Sequence, residues 1–468
     1  MSAADPLSLA DAHAWLQDEL PGLLTSHRVP AAAVGVLRDG QVIDHASGIL
    51  NLDTGVEATT DSLFQVGSIT KLWTTDLVMQ LVDEGRIGLD DEICRHLPTF
   101  RVADEEATRT ITVRQLLSHT AGFEGDIFTD HGPGDDAVER FVDSMGDLPQ
   151  IFAPGQRFSY NNAGFAVLGR LVEVVRGTTW DRALQERLAA PLGLTHVATT
   201  AYDAIRFRTA MGHIDPAPDH VLRPGPSWGM ARASGPVGAM LSMRVRDLLG
   251  FAAMHLADGT APDGAQVVSA ASCAEMLTRQ VDHPASTRTE ARGLGWSLDD
   301  TSQGIVGHDG QTIGQSAFFR MVPDHGLAVA LLTNGGDTYG LYHDVVGRLL
   351  DDLAGVRIAP DPVAPPQPPD GFDAARLLGT YSARIVDWTL RQDAAGRLWV
   401  EELPGPEAAA AGDEPETYEV LPYAVDQVVT ATALHGAHHV FGFTGRDTAG
   451  RATHLTTSRV LPRASLEG

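Results

Sequence analysis

Lys71 is the only lysine in a chain of 468 residues, and it stands three positions after Ser68. All the other members of the 34 lysines and arginines are arginine. A guanidinium stays protonated in proteins, whereas a desolvated lysine can become a neutral base. The spacing Ser-x-x-Lys therefore suits nucleophilic catalysis, with a serine nucleophile and a lysine base. Alone it is a weak signal, because both residue types are common and a codon bias toward arginine would leave a stray lysine anywhere.

Two further clusters carry groups that acyl transfer needs. Tyr160-x-Asn162 brings a phenol that relays protons near a cation and an amide that both donates to and accepts from a substrate amide. Its alternative interpretation is a helix start with an asparagine cap. His308-x-Gly310 brings an imidazole able to bind a carboxylate or carbonyl, beside a glycine that allows close backbone approach. Taken alone, a histidine on a strand is more often structural.

Hydrophobic periodicity predicts the elements that position these clusters. Apolar residues recur every four positions after Ser68, which predicts a helix that opens at Ser68 and has a buried face. Ser68 and Lys71 would then lie on one side of its first turn. A helix start disfavours an ammonium and favours a developing oxyanion. Strand-like segments precede and follow a mostly helical stretch at 113–256. This order predicts an α+β fold with one antiparallel sheet, flanking helices and a helical insertion.

A proline-rich stretch predicts a domain boundary. Six of the ten residues at 360–369 are proline, which is typical of a semi-rigid linker. Short alternating segments separated by turn signals follow it, and they predict a small antiparallel barrel. We therefore divide the chain into a catalytic domain at 1–358, a linker at 359–370 and a barrel domain at 371–468.

Composition argues against several classes of partner. A net charge of −27 disfavours nucleic acid and anionic membranes, because both would repel the chain. We see no signal peptide and no apolar run of about 20 residues, so we expect a cytoplasmic protein. Cys94 and Cys273 are expected to be free core thiols. His435, His438 and His439 lack metal-ligand spacing, so we expect no metal and no cofactor.

In this order, the three clusters resemble the motifs of the serine β-lactamase and penicillin-binding-protein superfamily, in its class C-like branch. The resemblance covers most of residues 10–355 and extends to 116–122, 154–155 and 191–194. It implies a β-lactamase-like fold for this region. The barrel would then correspond to the lipocalin-like domain that follows such a region in some members.

The resemblance also implies a role for each site residue. Ser68 is the nucleophile that becomes acylated, and Lys71 and Tyr160 share the proton transfers. Asn162 contacts a substrate amide. The backbone N–H groups of Ser68 and Gln311 form the oxyanion hole, and such donors are worth roughly 3 kcal/mol each.

His308 departs from the β-lactamase pattern, which has Lys-Thr-Gly there to bind the drug's carboxylate. His-x-Gly is similar instead to the esterase, D-aminopeptidase and peptide-acting members. With a barrel added, the layout resembles intracellular peptidases that favour D-amino acids. It also resembles penicillin-binding-protein-type thioesterases, which release nonribosomal peptides from a carrier protein, usually by macrocyclisation. The implied substrate is a peptide or a peptidyl thioester with a D-configured last residue, and the implied partner is a carrier protein.

Three functions stay open at this stage: a cyclising thioesterase, a D-aminopeptidase or esterase, and a non-catalytic penicillin-recognising sensor. Cyclisation needs a pocket that holds water off, and Trp228 and the loop at 124–136 are candidates to cover it. One arginine of the barrel is a candidate to reach the active site and bind a carboxylate. The four candidates are Arg446, Arg451, Arg459 and Arg463.

Overall fold

The computed structural model describes residues 7–215, 220–284, 288–406, 409, 414–434 and 437–464. The strands in this part of the chain are β1 (Ala31–Arg38), β2 (Gln41–Asn51), β3 (Val56–Glu57), β4 (Phe64–Gln65), β5 (Val197–Ala198), β6 (His213–Ile214), β7 (Arg223–Pro224), β8 (Ser242–Met243), β9 (Val281–Asp282), β10 (Ala291–Arg292), β11 (Ser297–Asp300), β12 (Ile305–Gln311), β13 (Ser316–Val322), β14 (Leu327–Thr333), β15 (Gly379–Ser382), β16 (Val386–Gln392), β17 (Leu398–Pro404), β18 (Glu416–Ala424), β19 (Gln427–Thr430), β20 (Val440–Thr444), β21 (His454–Thr456) and β22 (Val460–Pro462). The α-helices are α1 (Leu9–Ser26), α2 (Thr70–Asp83), α3 (Ile93–His96), α4 (Glu105–Thr110), α5 (Val113–Leu117), α6 (Ala137–Asp143), α7 (Asn162–Arg176), α8 (Trp180–Leu184), α9 (Ala201–Ala204), α10 (Val245–Leu256), α11 (Ala270–Met276), α12 (Thr338–Tyr342), α13 (Arg348–Ala354) and α14 (Ala374–Leu377).

An antiparallel sheet built from both ends of the catalytic part lies at its centre. The strand order is β3-β2-β1-β14-β13-β12-β11-β10-β9, so the N-terminal hairpin pairs with the last strand of this part. Val34, for example, lies opposite Leu331. The prediction of an α+β fold with one antiparallel sheet and a helical insertion is confirmed.

Strand β1 separates two hydrophobic cores. Its side chains alternate between the sheet faces, as the period of a strand requires. Ala31, Ala33 and Leu37 face the core shared with the helical insertion. The alternate residues of β1, Ala32, Val34 and Val36, face a second core. This core is shared with α1 and with the closing helices α12 and α13.

Helix α2 is buried on all sides, so its burial extends beyond the one face that the recurrence of apolar residues predicts. Every residue from Thr70 to Leu81 is buried. Trp73, for example, stacks on Phe251 with ring centroids 4.4 Å apart. The helix also begins two residues later than expected, because residues 67–69 form a 3₁₀ turn that carries Ser68.

The C-terminal strands form a nearly closed barrel. Strands β15 to β22 pair in chain order, and a bridge between Tyr381 and Arg463 joins the two ends. The predicted antiparallel barrel is therefore confirmed, while its lipocalin-like character stays a prediction. Residues 357–373 have no regular structure, and the predicted linker at 359–370 lies within them. The division into separate domains also stays a prediction.

The described residues also bear on three smaller expectations, which concern the cysteines, the histidines of the barrel and membrane-spanning helices. Cys94 and Cys273 are both free thiols, but only Cys273 is buried. His435 lies outside the described residues, whereas His438 contacts the carbonyl oxygen of Thr430 through Nδ1 at 2.8 Å. Among the helices of the described residues, none combines the length and the apolar character that a membrane span requires.

Candidate active site

Ser68 and Lys71 are in contact, as their spacing predicts. The distance from Lys71 Nζ to Ser68 Oγ is 3.0 Å, and Nζ also donates a hydrogen bond to the carbonyl oxygen of Val237 at 2.9 Å. The 3₁₀ turn leaves Ser68 partly exposed, while Lys71 at the start of α2 is fully buried. The serine oxygen can therefore reach a substrate while its base stays shielded from water.

The surroundings of Lys71 favour the neutral amine over the ammonium form. Burial is the largest cause that lowers its pKa, and the guanidiniums of Arg459 and Arg292 lower it further, against the opposing carboxylate of Asp126. The net result is a pKa well below the ordinary lysine value. A neutral amine 3.0 Å from a serine hydroxyl is able to accept its proton.

Tyr160 lies beside this pair with its hydroxyl protonated. The ring centroid is 4.9 Å from Lys71 Nζ. Burial raises the pKa of Tyr160 to about 12, although Ser68 and the guanidiniums of Arg292 and Arg459 act in the opposite direction. The hydroxyl is buried and makes no hydrogen bond of regular geometry within the described residues. This buried O–H can therefore relay a proton to or from a reacting group.

His308 lies at the other side of the cleft and is neutral. Burial lowers its pKa most, and Arg292 and Lys71 lower it further. Its Nδ1 is 2.5 Å from the carbonyl oxygen of Asp309, and a carbonyl can only accept, so Nδ1 carries the proton. Its Nε2 is therefore an acceptor, and it has no partner among the described residues. This state suits accepting a proton or an N–H group and does not suit binding a carboxylate.

The two backbone segments of the predicted oxyanion hole run side by side. A Cβ placed on Gly310 would lie 1.9 Å from the carbonyl oxygen of Val66 and 2.9 Å from the nitrogen of Ser68. A Cβ placed on Gly67 would lie 2.5 Å from the nitrogen of Gln311. Glycine is therefore required at both positions for this close approach. The side chain of Gln311 is exposed and donates from Nε2 to the Tyr339 hydroxyl at 3.3 Å.

Asn162 is linked to the barrel through a carboxylate. Its Nδ2 donates to Asp126 at 2.6 Å, and the same carboxylate pairs with Arg459 Nε at 2.7 Å. The helix cap is the preceding residue, Asn161, whose side chain accepts from the nitrogen of Gly164. Arg459 is thus the barrel arginine that enters the site, with its Cζ 4.9 Å from the Tyr160 ring centroid.

Two more arginines line the wall below His308. Arg320 is buried and lies 2.7 Å from a carboxylate oxygen of Asp299 and 2.6 Å from one of Asp309. Arg292 is also buried, and its Cζ is 5.7 Å from the Tyr160 ring centroid. The cleft is therefore rich in guanidinium groups even though the whole chain is acidic.

Two neighbouring cavities lie at the site and share part of their lining. The Ser68 cleft, of about 330 Å³, contains Ser68, Tyr160 and His308. The barrel cavity, of about 710 Å³, lies between the catalytic part and the open end of the barrel. Both are lined by Phe128, Tyr160, Ser458 and Arg459. The barrel cavity therefore borders the cleft that contains Ser68.

The barrel cavity carries an excess of carboxylates. The hydroxyl of Tyr418 donates to Glu402 at 2.9 Å and also contacts Glu416. One phenol proton can satisfy only one carboxylate at a time. Neither glutamate has an arginine or histidine within ion-pair distance in the part of the chain that the structure describes.

Sequence reasoning missed three site residues and misplaced one. Asp126 and Arg292 stand in no motif, and their roles arise only from folding. His119 lies in the 116–122 stretch and stacks on Tyr160 with ring centroids 4.4 Å apart. Trp228 does not cover the cleft: its Nε1 donates to the carbonyl oxygen of Ala210 at 2.9 Å, and its ring packs in a separate small cluster.

The chain is similar to known proteins over most of its length. The beta-lactamase family model matches residues 16–350. Penicillin-binding protein 4 of Amycolatopsis lactamdurans is 46% identical over 380 residues, which cover 79% of this chain and 97% of that protein.

Solved structures resemble the whole chain, barrel included. The crystal structure of SurE matches with a TM-score of 0.77 and 30% identity, over 98% of this chain and all of that one. SurE with D-Leu matches with a TM-score of 0.74 and 29% identity, over 97% of this chain and all of that one. An octameric penicillin-binding protein homologue from Pyrococcus abyssi shares the fold, with a TM-score of 0.63. It is 19% identical, and the match covers 97% of this chain and 99% of that one.

Proposed function

The chain belongs to the beta-lactamase family, and on that premise we propose that it releases a peptidyl thioester by macrocyclisation through an acyl-enzyme at Ser68. The donor is a peptide whose last residue is D-configured, carried as a thioester on a carrier protein. The acceptor is the peptide's own N-terminal amine. This is the penicillin-binding-protein-type thioesterase activity that the domain layout resembles.

Acylation begins at Ser68 with Lys71 as the base. Neutral Nζ takes the hydroxyl proton while Oγ forms a bond to the thioester carbonyl carbon. The oxyanion is held by the backbone N–H groups of Ser68 and Gln311. When the tetrahedral intermediate collapses, the carbon–sulfur bond breaks, and the proton passes from Lys71 through Tyr160 to the departing thiolate.

Deacylation runs in the opposite direction with a different nucleophile. The peptide's amine attacks the ester carbon, and its surplus proton passes to neutral Lys71, either directly or by way of the acceptor Nε2 of His308. The ester bond breaks, Lys71 returns this proton to Ser68 Oγ, directly or through Tyr160, and a cyclic amide leaves. The pKa shifts support this sequence of steps, because they favour a neutral Lys71, a protonated Tyr160 hydroxyl and a neutral His308.

The shared wall of the two cavities is the observation that carries the proposal. A peptide fixed at Ser68 has the barrel cavity in which to fold back, with Tyr160 and Arg459 at the junction. The excess of carboxylates in that cavity favours a chain whose far end is an ammonium. The structure of SurE with D-Leu shows that a protein of this shape was crystallised with a D-residue, which supports a D-configured donor.

Hydrolysis by a D-aminopeptidase or esterase is the second candidate. The observation that favours it is the partial exposure of Ser68, because water that enters the cleft meets the same acceptor at His308. One incubation separates the candidates. A synthetic peptidyl thioester ending in D-leucine, followed by mass spectrometry, gives cyclic peptide if the proposal holds and linear acid from a hydrolase. A persistent acyl-enzyme without turnover indicates a sensor.

Two controls complete that incubation. The epimer ending in L-leucine is expected to react at least tenfold more slowly, since the proposed donor is D-configured. Ser68→Ala is expected to leave the thioester intact. Full activity of Ser68→Ala would refute the acyl-enzyme itself, whereas linear acid from the wild-type protein would refute only cyclisation.

A further inference from the structure

Arg292 is a buried guanidinium without a carboxylate partner. Arg292 as a whole is 8% exposed, and it lines the Ser68 cleft. Its Nη1 donates to the hydroxyl of Ser297, while Nε has no hydrogen-bond partner among the described residues. Within those residues no carboxylate oxygen lies within ion-pair distance of Arg292.

The carboxylates near Arg292 are held by other arginines. Arg320 forms ion pairs with Asp299 and Asp309, and Arg459 forms one with Asp126. A buried cation without an ion pair is unfavourable, because burial removes its hydration and a single hydrogen bond to a neutral hydroxyl replaces only part of it. A guanidinium does not escape this cost by losing its proton. The free protein therefore keeps a guanidinium in the wall of its active site that forms no ion pair within the described residues, although Asp299 and Asp309 act on its pKa from a longer distance.

The charge of Arg292 acts on the reacting groups. After burial itself, it is the largest cause that lowers the pKa of His308, and it also lowers that of Lys71. Its Cζ lies 5.4 Å from the ring centroid of Phe158 and 5.7 Å from that of Tyr160. A ligand anion at Arg292 would therefore sit within the cleft, beside the groups that transfer protons.

We propose that Arg292 binds a carboxylate on the substrate residue that is joined to Ser68, or on that residue once it is released. A planar guanidinium matches a carboxylate geometrically and electrostatically, and the Nε of Arg292 has no hydrogen-bond partner among the described residues. His308 cannot take this role, because its ring is neutral and its Nε2 is an acceptor. The proposal rests on the proposed function, since it describes the residue at the acyl position.

Two sources supply this carboxylate chemistry. One is the side chain of an acidic D-residue, such as D-glutamate, in the donor. The other is the free α-carboxylate of a released linear peptide or D-amino acid. The Ser68→Ala protein allows both to be measured as equilibrium binding, independently of whether the enzyme makes a cyclic or a linear product.

The experiment is calorimetric titration of Ser68→Ala with two matched pairs of probes. N-acetyl-D-leucine and N-acetyl-D-leucinamide test the α-carboxylate, and N-acetyl-D-glutamic acid α-amide and N-acetyl-D-glutamine α-amide test the side chain. We expect at least a tenfold preference for the acid in one pair. In Ser68→Ala/Arg292→Met that preference should disappear, and in Ser68→Ala/Arg292→Lys part of it should remain.

A thermal unfolding measurement keeps the result interpretable. Arg292→Met removes no ion pair, so its unfolding midpoint should not fall below that of the parent. Equal binding of acid and amide in both pairs, no detectable binding of either acid, or a preference that survives in Arg292→Met would each overturn the proposal. None of these results would bear on acylation of Ser68 by a neutral thioester, which tests the proposed function separately.

Discussion

The backbone N–H of Tyr160 donates a hydrogen bond to the carbonyl oxygen of Ser458 at 2.8 Å. A second contact, from the nitrogen of Val460 to Ser159 Oγ at 3.1 Å, flanks it. The barrel is thus attached to the segment that carries the proposed proton relay, and the residue between these contacts, Arg459, enters the cleft. The barrel therefore forms part of the active site.

Arg459 and Asp126 should shift the pH dependence of acylation in opposite directions. Acylation needs neutral Lys71, so its rate rises with pH through the lowered pKa of that residue. Arg459 lowers this pKa, so Arg459→Met should move the rise to higher pH. Asp126 raises it, so Asp126→Asn should move the rise to lower pH. The check is kcat/KM for a peptidyl thioester across pH, and shifts of the same sign in both variants would refute this electrostatic account.

Tyr160→Phe should reduce activity without reducing stability. The Tyr160 hydroxyl makes no regular hydrogen bond within the described residues, so its removal should change the free energy of unfolding by less than about 1 kcal/mol. The loss of a proton relay should lower kcat about 10²- to 10⁴-fold. Turnover measurements and urea denaturation check the two effects. A variant with unchanged kcat would exclude Tyr160 from proton transfer.

Gly310→Ala should separate the two sides of the oxyanion hole. The new Cβ would lie 1.9 Å from the carbonyl oxygen of Val66, so β12 must move away from the Ser68 turn. We expect kcat to fall about 10²- to 10³-fold, as for loss of an oxyanion donor. Gly22→Ala in α1 is the matched control, because no atom lies within 4 Å of its new Cβ and activity should be unchanged. Wild-type kcat in Gly310→Ala would show that the two segments are not in register.

Arg320→Met should be strongly destabilising. It leaves the carboxylate of Asp299, and in part that of Asp309, without a counter-charge next to the cleft. Breaking a buried ion pair in this way costs about 3–5 kcal/mol of unfolding free energy. Urea denaturation measures it, with Arg109→Met as the control because the partner of Arg109, Glu106, is exposed. Equal urea-unfolding midpoints for the two variants would contradict the claim that the ion pairs of Arg320 stabilise the folded protein.

The sequence contained enough information for the parts of this site that are local. Ser68 and Lys71 meet because three residues make one helical turn, and the glycine of His308-x-Gly310 lies on a strand edge that must pass close to that turn. The antiparallel sheet and the barrel followed from period-two alternation and turn residues.

What could not be predicted depends on contacts between distant segments. Nothing in the local pattern of Arg459 distinguishes it from Arg446 or Arg451, because docking of the barrel decides which arginine reaches Asp126. The neutral state of His308 depends on burial by other segments and on the charge of Arg292. The apolar residues of α2 indicate only one buried face. Its polar residues, such as Thr74, are buried as well because they form hydrogen bonds in the helical insertion.

Acylation of Ser68 in the absence of the lysine amine tests the central claim most directly. Lys71→Met keeps the side-chain volume and removes the base, so the fold should survive. Wild-type protein is mixed with a peptidyl thioester ending in D-leucine and quenched within seconds. Mass spectrometry of its proteolytic fragments should then show the mass of the acyl group on the fragment that contains Ser68. The account predicts that Lys71→Met shows none over the same interval, and acylation of Lys71→Met at the wild-type rate would contradict it.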